Sequence, residues 1–273
     1  MRNRKINCRL FSFLHFILIK YRENKMKQYE AVIQTLERLG GIATLGQLNQ
    51  EVFKIQDCEW KTKTPFASIR RIVQQNKNIY KIKPGLWALK SYQKELEQRG
   101  IFVETEKNKD SKEVKDFNHS YYQGLLLTIG NLKNYKTFVP QQDKNKMFLN
   151  EKLGNIRTLQ DIPKYSYENL VSKSSTIDVI WFNERQMPNS FFEVEHSTDI
   201  QNSLLKFQEL QDFHVKMYIV ADEKRHSEFD KKYSYSSFVN LKKEKRISFL
   251  SYTDLEKQYN QIMEIRDIHT LII

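Results

Sequence analysis

The sequence is poor in cysteine, and its two cysteines, Cys8 and Cys58, are far apart. They provide neither a disulfide framework nor a zinc-binding pair. The chain also has no run of about 18 apolar residues, the length that a membrane-spanning helix needs. These absences argue against a disulfide-stabilised secreted protein and against a membrane protein, and they predict a cytoplasmic location.

The sequence also has no glycine-rich phosphate-binding loop and no internal repeat. Its cysteines, serines and histidines do not follow the order of a known nucleophilic triad. We therefore expect no nucleotide or other small-molecule cofactor. Hydrophobic residues make up 40% of the chain, which is enough for a sizeable core.

Positive charge is abundant but unevenly distributed. The net charge is +12 over the whole chain, and it comes from residues 1–92, since Lys and Arg balance Asp and Glu over residues 93–273. A basic segment beside a neutral one predicts that the basic segment meets a polyanion such as DNA.

Residues 1–25 look like a signal peptide at first, with a basic start and an apolar run from Leu10 to Ile19. Lys20 and Arg22 follow that run, and no small-residue cleavage site does. Met26 begins a segment that reads like a natural protein start. We therefore interpret residues 1–25 as a leader or as an incorrectly assigned start of translation.

Residues 26–92 predict three helices and a β-hairpin. Apolar residues at helical spacing precede Gly40 and Gly41, which end the first helix. Thr44 can cap a second helix over residues 45–53, and Pro65, after a possible Thr64 cap, starts a third that runs to residue 75. Residues 79–89 form the hairpin, with Pro84 and Gly85 in a type II turn.

Three helices closed by a basic hairpin make a winged helix-turn-helix. The segments TPFASIRRIV and YKIKPGLWAL resemble the HARE-type winged helix. The resemblance implies binding of double-stranded DNA, with the third helix in the major groove and the hairpin on the backbone. The residues expected to contact DNA are Arg70, Arg71, Gln74, Gln75, Lys81 and Lys83. The alternative is a winged helix that contacts proteins.

Residues 93–118 are highly charged and predict a flexible linker. Residues 119–273 predict a second domain in which helices and strands alternate. It starts with an amphipathic helix over residues 119–133 and a strand over residues 135–140. A polar insertion over residues 141–175 follows.

Three carboxylates mark the centre of this second domain. Asp178 interrupts an apolar run, and Glu193 and Glu195 lie on one face of a short strand. If Asp178 pairs opposite Glu193, residues 183–188 form the hairpin loop and all three acids come close together. Clustered carboxylates favour a hard cation, and Mg²⁺ is typically held by one or two carboxylates plus substrate phosphates. The alternatives are glutamates that face solvent and a buried Asp178 that caps a helix.

The order helix, three strands, helix, strand resembles the PD-(D/E)xK nuclease superfamily, with Asp178 as the first acid and Glu193-Val194-Glu195 as the second element. The resemblance implies an α/β (α+β) fold with a restriction-endonuclease-like αβββαβ core and a mixed sheet. It also implies Mg²⁺, or Mn²⁺, held by Asp178, Glu193 and the Val194 carbonyl. Gln123 is the candidate accessory residue on the first helix, the alternative being a surface glutamine.

One position departs from the superfamily pattern, because Glu195 stands where lysine is usual. Glu195 can act as a general base or as a further metal ligand, or the domain has lost catalysis. Lys206, eleven residues further on, can supply the displaced positive charge, the alternative being a solvated helix lysine.

These features predict a Mg²⁺-dependent DNA endonuclease of restriction or defence type. A homodimer is expected if both strands are cut. The alternative is a DNA-binding regulator with an inert nuclease fold, and a weaker one is an RNA-directed nuclease.

Overall fold

The computed structural model describes the backbone of residues 25–270 and the side chains of residues 25–265. The leader predicted over residues 1–25 therefore lies outside the described residues, apart from Lys25. Within the described part of the chain, none of the helices has the length and apolarity required to cross a bilayer.

The N-terminal part consists of three helices and a three-stranded antiparallel sheet of order β1-β3-β2. These elements are α1 (Gln28–Arg38), β1 (Ile42–Thr44), α2 (Leu45–Glu51), α3 (Pro65–Gln75), β2 (Ile79–Lys83) and β3 (Leu86–Leu89). The three predicted helices and the hairpin are all present, and β1 adds a third strand to the hairpin.

Local sequence explains where these elements begin and end. The Thr44 side chain accepts a hydrogen bond from the Gln47 N–H, so it caps α2 as predicted. Thr64 makes no such bond at the start of α3, where Pro65 is instead suited to the first helical position. Gly85 has φ +74° at the hairpin tip, which a type II turn requires.

The C-terminal part contains a five-stranded mixed sheet of order β10-β9-β8-β7-β4. Neighbours β4, β7 and β8 are antiparallel, and β8, β9 and β10 are parallel. The strands are β4 (Lys136–Phe138), β7 (Val179–Phe182), β8 (Pro188–Glu195), β9 (Lys216–Ala221) and β10 (Ile247–Ser251). The prediction of a mixed α/β fold with a mixed sheet is confirmed.

The remaining α-helices of the described residues follow the hairpin of the N-terminal part. They are α4 (Gln93–Gln98), α5 (Lys112–Leu132), α6 (Leu153–Ile156), α7 (Glu168–Ser174), α8 (Ile200–Glu209), α9 (His226–Tyr233), α10 (Val239–Lys243) and α11 (Tyr252–Thr270). The predicted insertion over residues 141–175 contains α6, α7 and a small hairpin of β5 (Met147–Phe148) and β6 (Glu151–Lys152). Asp199 caps α8, and the Ser251 hydroxyl accepts a hydrogen bond from the Asp254 N–H at the start of α11.

The N-terminal and C-terminal parts meet in a shared hydrophobic cluster, beside further clusters within each part. Ile82 and Leu86 of the hairpin pack in the same buried cluster as Leu125 of α5 and Tyr252 of α11. The charged segment 93–118 contains α4 and the first seven residues of α5, which starts at Lys112 rather than at residue 119. The structure therefore differs from the predicted flexible linker, because apolar residues on both sides of this segment bury each other.

Candidate active site

The three predicted acids meet at the end of the β7–β8 hairpin. Val179 pairs with Phe192, so continuing the antiparallel register by one residue places Asp178 level with Glu193. The loop is one residue shorter than predicted, because β8 begins at Pro188. Two adjacent strands thus bring Asp178 and Glu193 together although they are 15 residues apart in the sequence.

Both glutamates of β8 are buried. Glu193 is 2% exposed and Glu195 is 4% exposed, so the alternative in which they face solvent is wrong. They contact a common residue, Ser203 of α8, whose hydroxyl lies 3.0 Å from Glu193 Oε2 and is also hydrogen-bonded to Glu195 Oε1. Because a hydroxyl has one proton, two such contacts favour a proton on one of the carboxyls.

Asp178 is held by a histidine and by the neighbouring strand. Its Oδ2 lies 3.2 Å from His119 Nε2 of α5 and accepts the Val194 N–H at 2.8 Å. Burial alone would raise the pKa of Asp178, but the charge and the hydrogen bond of His119 hold that pKa below its ordinary value. Asp178 is therefore the most readily ionised of the three acids.

His119 was not predicted from the sequence. Although burial opposes it, the charge of Asp178 raises the pKa of His119, which favours the protonated imidazole beside Asp178. The one available signal was that His119 lies four residues before Gln123 and hence on the same helix face. That signal is weak because nothing local shows which face of α5 meets β7.

Gln123 is fully buried and supports the site from behind. Its Nε2 donates to Asp143 Oδ2 at 2.8 Å and to the main-chain carbonyl of Asp178 at 3.1 Å. Asp143 in turn pairs with Lys146 at 2.7 Å. Gln123 therefore positions the backbone of Asp178, and its own side chain contacts none of the three carboxylates.

Lys206 of α8 reaches the acids. Its Nζ donates to Glu193 Oε2 at 2.8 Å, with 38% of the lysine side chain exposed. Burial and the nearby charge of Asp178 raise the pKa of Glu193 well above its ordinary value, although Lys206 opposes this shift. Helix α8 thus brings the positive charge of Lys206 beside Glu193, although position 195 holds no lysine.

Glu195 lies among hydroxyl groups. Thr198 and Ser203 both donate to its carboxylate. Burial raises the pKa of Glu195, while these two hydrogen bonds oppose the rise. A carboxylate with a raised pKa is better suited to accept a proton near neutral pH.

These residues line a cavity of about 550 Å³. Its wall combines the acids with positively charged side chains. The lining includes Asp178, Glu193, Val194, Glu195, His119, Lys206, and, from α5 and the insertion, Lys112, Lys115 and Lys146. The side chains of this cavity are therefore suited to bind a ligand that carries negatively charged oxygen atoms.

The donor set fits a hard divalent cation. Within the described residues, no three His, Cys, Asp or Glu side chains converge as a complete protein metal site. Mg²⁺ does not need one, because it keeps waters and uses substrate phosphates beside one or two carboxylates. Glu193 Oε1 is buried and makes no hydrogen bond within the described residues, so it has the free lone pairs that such a cation takes.

Comparison with known proteins gives the family. The family model of the Type II restriction enzyme NmeDI C-terminal domain matches residues 101–272, more than half of the chain. The chain belongs to this family. A curated relative, the Type II restriction enzyme NmeDI of Neisseria meningitidis serogroup C, is 23% identical over 154 residues, 52% of this chain and 42% of the relative. The alignment thus spans less than half of that relative, and no solved structure matches significantly.

The NmeDI C-terminal domain match contains the whole cavity, and residues 25–100 lie outside it. In that N-terminal part, the side chains of Arg71, Gln74, Gln75 and Lys81 are exposed, as DNA contact requires. Arg70 is also exposed, but its guanidinium lies 3.7 Å from Glu264 of α11.

Lys83 does not fit its predicted role in contacting DNA. It is 9% exposed, and its Nζ donates to Asn118 and to the Tyr122 hydroxyl of α5. The pairing of β2 with β3 shifts register between Lys81 and Lys83. A bulge re-aims the side chains that follow it, so Lys83 points inward although Lys81 points to solvent.

Proposed function

We propose that this protein is a restriction-type DNA endonuclease that hydrolyses phosphodiester bonds with Mg²⁺ or Mn²⁺. The observation that carries the proposal is the cavity in which Asp178 and two buried glutamates, Glu193 and Glu195, meet Lys206. The name of the NmeDI relative supports the same activity.

The order of elements supports a PD-(D/E)xK core. Helix α5, strands β4, β7 and β8, helix α8 and strand β9 follow one another along the chain, interrupted by the insertion, and β9 lies parallel to β8. This is the expected αβββαβ order, with the acids at the β7–β8 hairpin and Lys206 on the helix that follows.

In this proposal Asp178 and Glu193 hold the cation, together with the Val194 carbonyl. A bound Mg²⁺ stabilises negative charge on phosphate oxygens and makes water more acidic. Lys206 then places its ammonium beside the scissile phosphate, where positive charge favours the transition state. Glu195 orients the attacking water and accepts its proton.

We also propose that residues 26–92 form a winged helix-turn-helix that binds double-stranded DNA. Helix α3 exposes Arg71, Gln74 and Gln75, side chains that can hydrogen-bond to guanine and adenine edges. Lys81 on the hairpin is exposed and suits a phosphate contact. The basic charge of this part of the chain supports the same role.

Cleavage of plasmid DNA by the full chain tests the enzymatic proposal. Methylated and unmethylated plasmids are incubated with Mg²⁺, with Mn²⁺ or with EDTA, and a matched RNA is included. Asp178→Ala should abolish cleavage and leave DNA binding intact. Asp230→Ala is the control, because Asp230 is exposed on α9, outside the residues that line the cavity.

Metal-dependent cleavage that is lost only in Asp178→Ala supports the proposal. DNA binding without cleavage in every condition would instead favour the regulator with an inert nuclease fold. Cleavage of the RNA alone would assign a different substrate to the same site.

A further inference from the structure

The buried end of the DNA-binding hairpin is attached to the first helix of the nuclease part. Lys83 Nζ donates to Asn118 Oδ1 and, at 3.3 Å, to the Tyr122 hydroxyl. It also lies 4.5 Å from the centre of the Tyr122 ring. Within the described part of the chain, the hydrogen-bonding partners of this ammonium are buried side chains of α5, so Lys83 serves the contact between the two parts.

Tyr122 also contacts α11. Its ring stacks on Tyr252, with ring centres 3.6 Å apart and planes inclined by 9°. Its hydroxyl donates to Glu256 Oε1 at 3.1 Å. Tyr122 is 3% exposed and Tyr252 is 7% exposed, so neither ring can shift without disturbing the core around it.

Tyr252 connects these contacts to β8, the strand that carries Glu195. Its hydroxyl donates to the main-chain carbonyl of Glu195 at 3.1 Å. The Glu195 side chain lines the cavity. Direct contacts therefore run from the hairpin through Lys83, Tyr122 and Tyr252 to the backbone of Glu195.

A second contact keeps α11 against the N-terminal part. A Cβ atom at Gly46 of α2 would lie 2.9 Å from the side chain of Met263, so glycine permits this close approach. The Thr44 and Tyr259 hydroxyls lie 3.2 Å apart. Since α11 begins at Tyr252, these contacts fix the helix whose first residue holds Glu195.

We propose that Lys83, Tyr122 and Tyr252 are positioning residues that tie the DNA-binding hairpin to the Glu195 backbone and thereby set the position of Glu195 for cleavage. This inference rests on the proposed function. It predicts that loss of the link lowers the rate of cleavage without weakening the binding of DNA, because each of the three side chains is at most 9% exposed.

Tyr252→Phe is the most informative variant. It keeps the stacking on Tyr122 and removes only the hydrogen bond to the Glu195 carbonyl. We expect kcat to fall by about tenfold, the change that corresponds to one lost hydrogen bond, with the Kd for DNA within about twofold of the original protein. Tyr252→Leu also removes the stacking and should lower kcat further.

Lys81 and Lys83 form a matched pair on one strand. Lys83→Gln should lower kcat and leave the salt dependence of DNA binding unchanged. Lys81→Gln should instead weaken binding and flatten its salt dependence by about one phosphate contact. Thermal unfolding of each variant checks that it is folded.

Hydrogen exchange of the free protein tests the link without any cleavage. Lys83→Gln and Tyr252→Phe should speed amide exchange at residues 194–197, and Lys81→Gln should not. Failure of the original protein to cleave would refute the proposed function, while exchange would still report on the link. Unchanged exchange in both link variants, or a Tyr252→Phe enzyme with normal kcat, would overturn the inference.

Discussion

Replacing Glu193 by Gln should stabilise the folded protein while it abolishes cleavage. Burial and the charge of Asp178 raise the pKa of Glu193 well above its ordinary value, despite Lys206. A raised pKa means that folding favours the protonated carboxyl. The stability that this group contributes is fully present below its unfolded pKa, about 4.3, and is lost as the pH rises through the folded pKa. Gln resembles the protonated carboxyl at every pH.

The size of the expected gain in stability depends on which contacts the Glu193→Gln variant keeps. The amide N–H of the glutamine can donate to the Ser203 oxygen, which leaves the single Ser203 proton for Glu195. The Lys206 side chain is 38% exposed, so its ammonium can turn to water when its partner loses its charge. A single stabilising substitution commonly gains about 0.5–2 kcal/mol, and we expect a gain in this range. For a chain of this size that corresponds to a rise in Tm of roughly 1–8 °C.

Thermal unfolding between pH 5 and pH 9 in EDTA measures this effect. The difference in Tm between Glu193→Gln and the original protein should be smallest at the acidic end and grow with pH. Mg²⁺ should reduce the difference, because it stabilises only the protein that binds it. Glu209→Gln, an exposed residue of α8 that pairs with Lys173, is the control. A Glu193→Gln protein that is less stable than the original at pH 8 would refute the reasoning.

Three further predictions concern other groups. Lys206→Met should lower kcat by about 10²–10³-fold, as loss of a transition-state charge contact does. Lys173→Met, on the surface, should not lower kcat. Equal cleavage rates in the two variants would mean that Lys206 has no role in cleavage. Arg71→Ala should flatten the salt dependence of DNA binding more than Arg70→Ala, because Arg70 also pairs with Glu264; binding titrations over a range of salt concentrations decide this. Gln123→Leu should destabilise the protein by about 1–3 kcal/mol, the cost of leaving buried hydrogen-bonding groups without a partner. A denaturant titration measures this change, and a smaller loss of stability would mean that Gln123 is not needed to hold Asp178.

Patterns within single elements were the most predictable part of the fold. Helix α3 spans residues 65–75 as the apolar spacing and Pro65 predict, and the strands at Asp178 and Glu193 follow from β-branched and alternating residues. The proximity of Asp178 and Glu193 was also predictable, because a short loop leaves two antiparallel strands only a few possible registers.

Contacts between distant elements were not predictable. His119 and Asp178 are 59 residues apart, and only the packing of α5 on β7 brings them together. Lys83 was predicted to contact DNA together with Lys81, and regular alternation along a strand would place both on one face; the bulge between them breaks that alternation. The charged segment 93–118 resembled a linker because its few apolar residues, such as Leu96 and Ile101, are buried against partners elsewhere in the sequence.

The glutamate at position 195 changes how charge is balanced in the site. A lysine there would share the strand face of Glu193 and offset one acid from the same strand. With a third carboxylate instead, the positive groups come from the helices on either side: His119 of α5 pairs with Asp178, and Lys206 of α8 pairs with Glu193. A cation bound by Asp178 and Glu193 would take over the balancing of both acids. Lys206, which is partly exposed, would then be free to pair with a phosphate, so the same lysine can stabilise the empty site and serve the substrate.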